Sequence, residues 1–312
     1  MKYLKIILIA LCISFIVSGQ NYFKPNNWKY QRKEITLNFG ASGFLGDLGG
    51  GDNSGRPNSP ADINLSQTRS SIGFGFTYKV KSWLNLNSKL GYIVLKGDDA
   101  ETKNIYRNNR NLNFKTNLFE LSSRIEIGVN SGKFGKNTYS IRKSFASKRF
   151  YHSLYGFCGI GLFYSNPKAK LSNGTYVALR PLHTEGQGLA GGPKQYSKIN
   201  VCIPLGFFYK LTINRKWTCG LEFAWRKTFT DYIDDVGSTY YNKELLKENY
   251  GPMSAQLSDP GLGNIYGAAL PSADGTPAKR GNVQYDSYVT MEVRLGYVFE
   301  RKRKQGKLRS VF

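Results

Sequence analysis

Apolar and polar side chains alternate with a period of two over eight separate stretches of the chain, the mark of half-buried strands. The clearest stretch is 199–211. Ile199, Val201, Ile203, Leu205, Phe207, Tyr209 and Leu211 share one face, and Lys198, Asn200, Cys202, Pro204, Gly206 and Lys210 share the other. Phe208 is the one large apolar residue on that second face. Residues 286–299 repeat the design, with Val289, Met291, Val293, Leu295, Tyr297 and Phe299 opposed by Thr290, Glu292, Arg294 and Gly296. Further segments lie at 35–45, 72–80, 84–94, 119–129, 154–164 and 217–229. A strand of thirteen residues is ~43 Å long, and tilted by about 40° it stands ~33 Å high. That height spans an outer-membrane core, whereas soluble strands are shorter. In lipid every backbone donor must be paired, so such strands must close on themselves. The pattern predicts an all-β fold, an eight-stranded antiparallel transmembrane β-barrel.

The connections alternate in length as such a barrel requires. Those at 79–83 and 212–216 are short, and those at 46–70, 97–113, 165–196 and 230–286 are long and rich in Gly, Asn and Pro. Short turns belong at the periplasmic rim and long loops outside. The connection at 131–150 breaks this rule, being long on the short-turn side. A soluble lipocalin-like barrel is the architectural rival; it would turn its apolar face inward. Strand length, loop asymmetry and the last strand favour the membrane. That strand ends RLGYVF at 294–299, a polar-x-Gly-x-x-aromatic close of the kind barrel-assembly factors recognise, with thirteen residues beyond Phe299.

Residues 1–19 read as a signal peptide: Lys2 and Lys5, an apolar run from Ile6 to Val17, and small residues at Val17 and Gly19 before Gln20. The expected organisation is signal 1–19, periplasmic arm 20–33, barrel 34–299 and basic periplasmic tail 300–312. Export removes the nucleic-acid reading that a formal charge of +23 on 312 residues would otherwise invite. Aromatics at 14% and 34 Gly suit strands. Two histidines exclude a multi-His metal enzyme. Cys158, Cys202 and Cys219 form no disulfide framework or zinc spacing; a Cys158–Cys202 bridge is left open, not demanded. No cofactor is expected.

On this topology Glu120, Arg124, Glu126, Glu222, Arg226, Glu292 and Arg294, with Lys89, face inward and pair as a structural plug. The periplasmic rim collects Lys24, Lys29, Arg32 and Lys33 from the arm, Lys79 and Lys81 from the first turn, and Lys210, Arg215 and Lys216 from the third. The long turn adds Lys133, Lys136, Arg142, Lys143, Lys148 and Arg149, and the tail adds Arg301, Lys302, Arg303, Lys304, Lys307 and Arg309. Only Glu34 and Glu300 oppose them, so nearly all the surplus charge sits at one mouth. Such a rim attracts outer-membrane phospholipid headgroups, at about 1 kcal/mol per base, or an acidic protein docking from below.

Several runs together resemble the PorG-type outer-membrane barrels of the type IX secretion system. They are RNLNFK at 110–115 leading to Phe119, Glu120 and Leu121, GIGLFYSNP at 159–167, PLHTEGQ at 181–187, RKTFTDYIDDV at 226–236, and KRGN at 279–282. The resemblance implies an eight-stranded barrel associated with a periplasmic ring of PorK- and PorN-type proteins. That ring belongs to an export machine also linked to gliding motility. It implies no catalytic residue.

Other chemistry is sparse. Asp231, Asp234 and Asp235 are calcium candidates, though not in EF-hand order. His183 with Glu185 suggests a lipid A-modifying hydrolase, for which a serine partner is lacking in the sequence pattern. Gly46 to Gly51 lacks the Lys-Ser/Thr of a phosphate loop. Residues 242–249 favour a short loop helix.

Overall fold

The computed structural model describes residues 27–48, 65–102, 104–130, 151–213, 216–262, 279–281 and 284–301. Among these residues ten strands form: β1 (Lys33–Leu45), β2 (Arg69–Lys79), β3 (Leu84–Asp98), β4 (Asn113–Asn130), β5 (Tyr151–Tyr164), β6 (Lys168–Lys170), β7 (Tyr176–Ala178), β8 (Ile199–Thr212), β9 (Trp217–Thr228) and β10 (Ser287–Phe299). Eight of them close an antiparallel ring: β1 pairs with β2 and β10, β3 with β4, and β5 with β8. The seam brings Lys33 opposite Phe299, so both ends of the barrel leave at the short-turn mouth. The remaining two strands form a small hairpin above β4.

The pleat sends alternate residues to opposite faces. Leu37, Phe39, Ile72, Phe74, Phe76, Leu90, Leu121, Ile160 and Met291 are exposed outward, while Asn38, Lys89, Glu120, Arg124, Glu222 and Arg294 are buried inward. Apolar outside and charged inside is the order a lipid solvent selects, and it removes the lipocalin-like alternative. The chain is an outer-membrane-type β-barrel.

Two inner glycines make room for aromatics. A Cβ on Gly206 would lie 2.7 Å from Phe157, and one on Gly220 would lie 2.6 Å from Phe208. Phe208 therefore breaks the alternation for a reason: it lies inside the ring, with the Arg294 guanidinium 4.3 Å above it.

β3 and β4 run further than the alternation indicated, reaching Asp98 and starting at Asn113. Their upper inner residues, Leu95, Phe114 and Leu118, join Leu48, Leu112, Phe163, Leu179, Val236, Leu257 and Tyr288 in an apolar core. That core caps the barrel at the long-loop mouth. The helices α1 (Ile105–Arg110), α2 (Lys243–Tyr250) and α3 (Pro252–Ser258) lie in this cap. Asn242 starts α2 by accepting from the amides of Glu244 and Leu245. Cys158 is exposed on the lipid face and Cys202 is buried on the inner one, and all three described cysteines are free thiols.

Candidate functional site

Glu222 is the hub of the lumen. It accepts from Arg124 Nη1 at 2.6 Å and Nη2 at 2.7 Å, from Arg294 Nη1 at 3.3 Å and from Lys89 Nζ at 3.4 Å. Lys89 also pairs with Glu292, which accepts from Asn38 at 3.2 Å. Arg294 donates to Glu126 and Thr77, both at 2.7 Å. Nearer the loops, Arg226 pairs with Glu120 at 3.1 Å, and Tyr288 donates to the same carboxylate at 3.0 Å. The structure thus gathers Arg124, Glu126, Glu222, Glu292, Arg294 and Lys89 into one buried web, and sets Arg226 and Glu120 as a separate buried pair nearer the loops. An eight-stranded ring is filled by such side chains and encloses no water channel.

Near the short-turn mouth the rim needs correction. The charge count along the chain puts Lys210 and Glu34 on its surface, but both are buried inside the barrel and paired with each other. Thr218 completes the Glu34 site with a bond of 2.6 Å. Both sit on the inward face of their strands, so the pleat outranks their closeness to a turn. Lys79 also lies on the inner face of β2 and is half-buried.

Lys29, Lys33, Lys81, Lys216 and Arg301 are exposed at this mouth, and Arg32 is half-buried. Arg32 lies 5.2 Å from the Trp28 ring and Lys81 5.3 Å from that of Trp83, which sets bases against aromatics at membrane-interface height. The Arg301 amide donates to the Tyr30 carbonyl at 2.8 Å, so the arm and tail are tied together. Lys133, Lys136, Arg142, Lys143, Lys148 and Arg149 lie outside the described residues, as do Lys302, Arg303, Lys304, Lys307 and Arg309. The signal segment lies outside them too.

The opposite mouth gathers the runs that carry the resemblance. Arg110 pairs with Asp99 at 2.6 Å and donates to the carbonyls of Asp47, at 2.7 Å, and Arg280, at 2.8 Å. Arg280 pairs with Glu185 at 3.2 Å and donates to the Asp235 carbonyl at 2.6 Å. Segments 110–115, 181–187, 226–236 and 279–281 therefore meet in one cap, a convergence the sequence did not disclose.

The calcium trio does not assemble. Asp235 turns to Thr184 at 2.5 Å and Tyr196 at 2.6 Å. Asp231 and Asp234 instead share their surroundings with Asp47 and Asp286. Among the described residues no group of three or more acidic, His or Cys side chains is placed to hold a metal ion. Burial, aided by Asp47 and Glu185, pushes the Asp231 carboxyl up to about 8. Burial likewise pushes Asp235 up to about 6, against the pull of Arg280, and holds Asp234 and Asp286 well above the usual range.

His183 and Glu185 are also separated in role. His183 Nδ1 faces the Gln187 carbonyl at 2.7 Å, its Nε2 faces Gln195 at 3.3 Å, and its ring stacks on Tyr250. Glu185 accepts from Ser238 Oγ at 2.6 Å and from the Gly237 amide. The pair forms no acid–base dyad in this geometry.

The closed ring, the outward apolar face and the filled lumen define a small outer-membrane β-barrel of eight strands. Several solved structures are similar to it. One is Ail, the attachment invasion locus protein of Yersinia pestis, at 8% identity and TM-score 0.35, over 86% of this chain and 99% of that one. Others are Neisserial surface protein A, at 5% identity and TM-score 0.36 over 86% and 97%, and AlkL, at 10% and 0.30 over 93% and 100%. No protein-family model matches the sequence, and no curated protein matches it.

Proposed function

We propose that this barrel is a non-enzymatic component of the type IX protein secretion machinery. In this reading its basic short-turn face lies in the periplasm and anchors or positions a PorK/PorN-type ring. The observation that carries it is the contrast between a lumen whose charges are largely spent on one another and a short-turn mouth at which Lys29, Lys33, Lys81, Lys216 and Arg301 are exposed. A lumen filled with mutually paired groups has nothing to conduct, so the work falls to a surface. The resemblance of the runs at 110–115, 159–167, 181–187, 226–236 and 279–282 supplies the name of the partner. Docking on such a face is oriented, fast and weakened by salt.

The test is co-purification from detergent extracts. Replacing Arg301, Lys302, Arg303 and Lys304 by Glu should cut the yield of ring proteins at least fivefold while the barrel stays at wild-type abundance. An unchanged yield overturns the tail's docking role. The second reading is a structural barrel whose rim holds anionic lipid headgroups. The placement of Arg32 and Lys81 against Trp28 and Trp83 favours it. Under that reading the same variant keeps its ring partners, or has none, and loses affinity for anionic vesicles.

A further inference from the structure

The outer surface of β3, β4 and β6 carries a row of lysines beside the long-loop mouth. In register, Lys96 of β3 lies opposite Lys115 of β4, and Lys115 lies opposite Lys168 of β6. Lys170 follows on β6 and pairs with Tyr176 of β7. The Lys115 ammonium lies 5.4 Å from the centre of the Tyr176 ring, so Lys115, Lys168, Lys170 and Tyr176 share one face. Lys168, Lys170 and Tyr176 are exposed, and Ala169 between the two lysines turns the other way into the cap core.

Like charges directly opposite one another on a sheet are destabilising. Lys96 is relieved by Asp98 at 3.2 Å and Glu101 at 2.7 Å. Among the described residues no carboxylate pairs with Lys115, Lys168 or Lys170. Below this row the same outer face turns apolar. Tyr92 and Phe119 are in ring contact at 5.2 Å, Tyr164 stands opposite Phe119, and the exposed Leu121 and Leu162 continue toward the middle of the membrane. From Phe119 to Lys115 the strand runs ~14 Å, or ~10 Å of height at a tilt of about 40°. The stem of a lysine can return its ammonium toward the interface, so the row stands at headgroup height above an aromatic belt.

We propose that Lys115 and Lys168 bind the phosphate monoester of a membrane lipid, whose acyl chains lie along Phe119, Leu121 and Leu162. Position selects a lipid, because the cations and the apolar strip belong to one continuous outer face. Charge selects the monoester. It carries about −1.5 to −2 at pH 7, which matches two ammoniums on directly opposed strands, whereas a phosphodiester brings a single charge. Bound there, it removes the repulsion between the two lysines. The site does not depend on which way the barrel faces; with the short-turn mouth in the periplasm, the lipid belongs to the outer leaflet.

The test uses the full mature protein in phosphatidylcholine nanodiscs containing a trace of phosphatidic acid with a diazirine on one acyl chain. Matched diazirine phosphatidylglycerol and phosphatidylcholine are the comparisons, and labelled positions are mapped by peptide mass spectrometry. Phosphatidic acid should label 115–123 and 160–168 at least fivefold more than either comparison. Lys115→Gln with Lys168→Gln should bring that labelling down to the phosphatidylglycerol level and leave labelling at the short-turn mouth unchanged. Lys115→Arg with Lys168→Arg should keep it, and excess glycerol 3-phosphate should not compete. Heat-modifiable gel migration checks that each variant is folded. Equal labelling by the three lipids overturns the proposal and leaves the row to a soluble acidic partner. Wild-type labelling in the glutamine variant overturns it too, as does loss of label to glycerol 3-phosphate, which would mark a site for soluble phosphate.

Discussion

Glu222→Gln changes one oxygen to an amide nitrogen and leaves the volume almost the same. The effect is electrostatic. In the native lumen Glu222 takes both ends of the Arg124 fork, at 2.6 and 2.7 Å, and lies within 3.4 Å of Lys89 and 3.3 Å of Arg294. The glutamine can still accept one bond from Arg124. It loses the second, and it leaves three cations facing each other with one carboxylate fewer. A charge-assisted bond is worth about 1.5–3 kcal/mol, and breaking a buried pair by removing one partner costs about 3–5 kcal/mol. The remaining acids Glu126 and Glu292 offset part of this, so ~3 kcal/mol of destabilisation is expected. Equilibrium unfolding in urea from lipid vesicles, followed by tryptophan fluorescence, measures it. The double variant Arg124→Gln with Glu222→Gln removes one charge of each sign. It should recover at least ~1 kcal/mol relative to the sum of the two single losses, since residues in one network couple by about that amount or more. A single variant within ~0.5 kcal/mol of wild type, or strict additivity in the cycle, would refute the claim that the lumen is held by mutual charge pairing.

Three further outcomes follow from the cap and the packing. The cap should loosen as pH rises from about 4 to about 8. A carboxyl whose folded value is raised, as for Asp231 from 3.8 to about 8, favours the closed form fully below its unfolded value and withdraws that support as it ionises. Amide exchange at Ile233 and Val236, which donate to Asp286 and Asp234, should speed up over this range beyond the intrinsic rise; Asp231→Asn should blunt the change, and a flat profile speaks against it. Gly220→Ala places a methyl 2.6 Å from Phe208 and 2.0 Å from the Tyr209 carbonyl, so it should cost about 1–3 kcal/mol in the same urea assay. His183→Ala should leave the lipid A mass spectrum of the host unaltered; a changed spectrum would revive the hydrolase reading.

Much of the barrel could be read from residue types because lipid imposes one rule on all eight strands. Ile72, Phe74 and Phe76 had to share a face, and Glu120, Arg124 and Glu126 had to share the other. Partnership was not legible. Nothing in the spacing indicates that Lys89 reaches Glu292 across 203 positions, or that Arg226 reaches Glu120, because these contacts cross the lumen between strands far apart in sequence. The rim error had a related cause. Lys210 and Glu34 sit near strand ends, where a one-dimensional count takes a charge for a surface charge, while the pleat turns them inward. In the cap, Asp231, Asp234 and Asp235 are neighbours in the chain, yet the left-handed backbone at Asp235, with φ of 68°, separates it from the other two. Composition carries no sign of such a turn.

The seam between β1 and β10 has a consequence for how the molecule comes into being. Lys33 meets Phe299 only after the six barrel strands between them have arrived, and until then one strand edge on each side offers bare amides and carbonyls to hydrocarbon. No half-built ring is therefore a resting state in the bilayer. Insertion has to be all or nothing, or else guided by a helper that shields both open edges until the last strand clicks home.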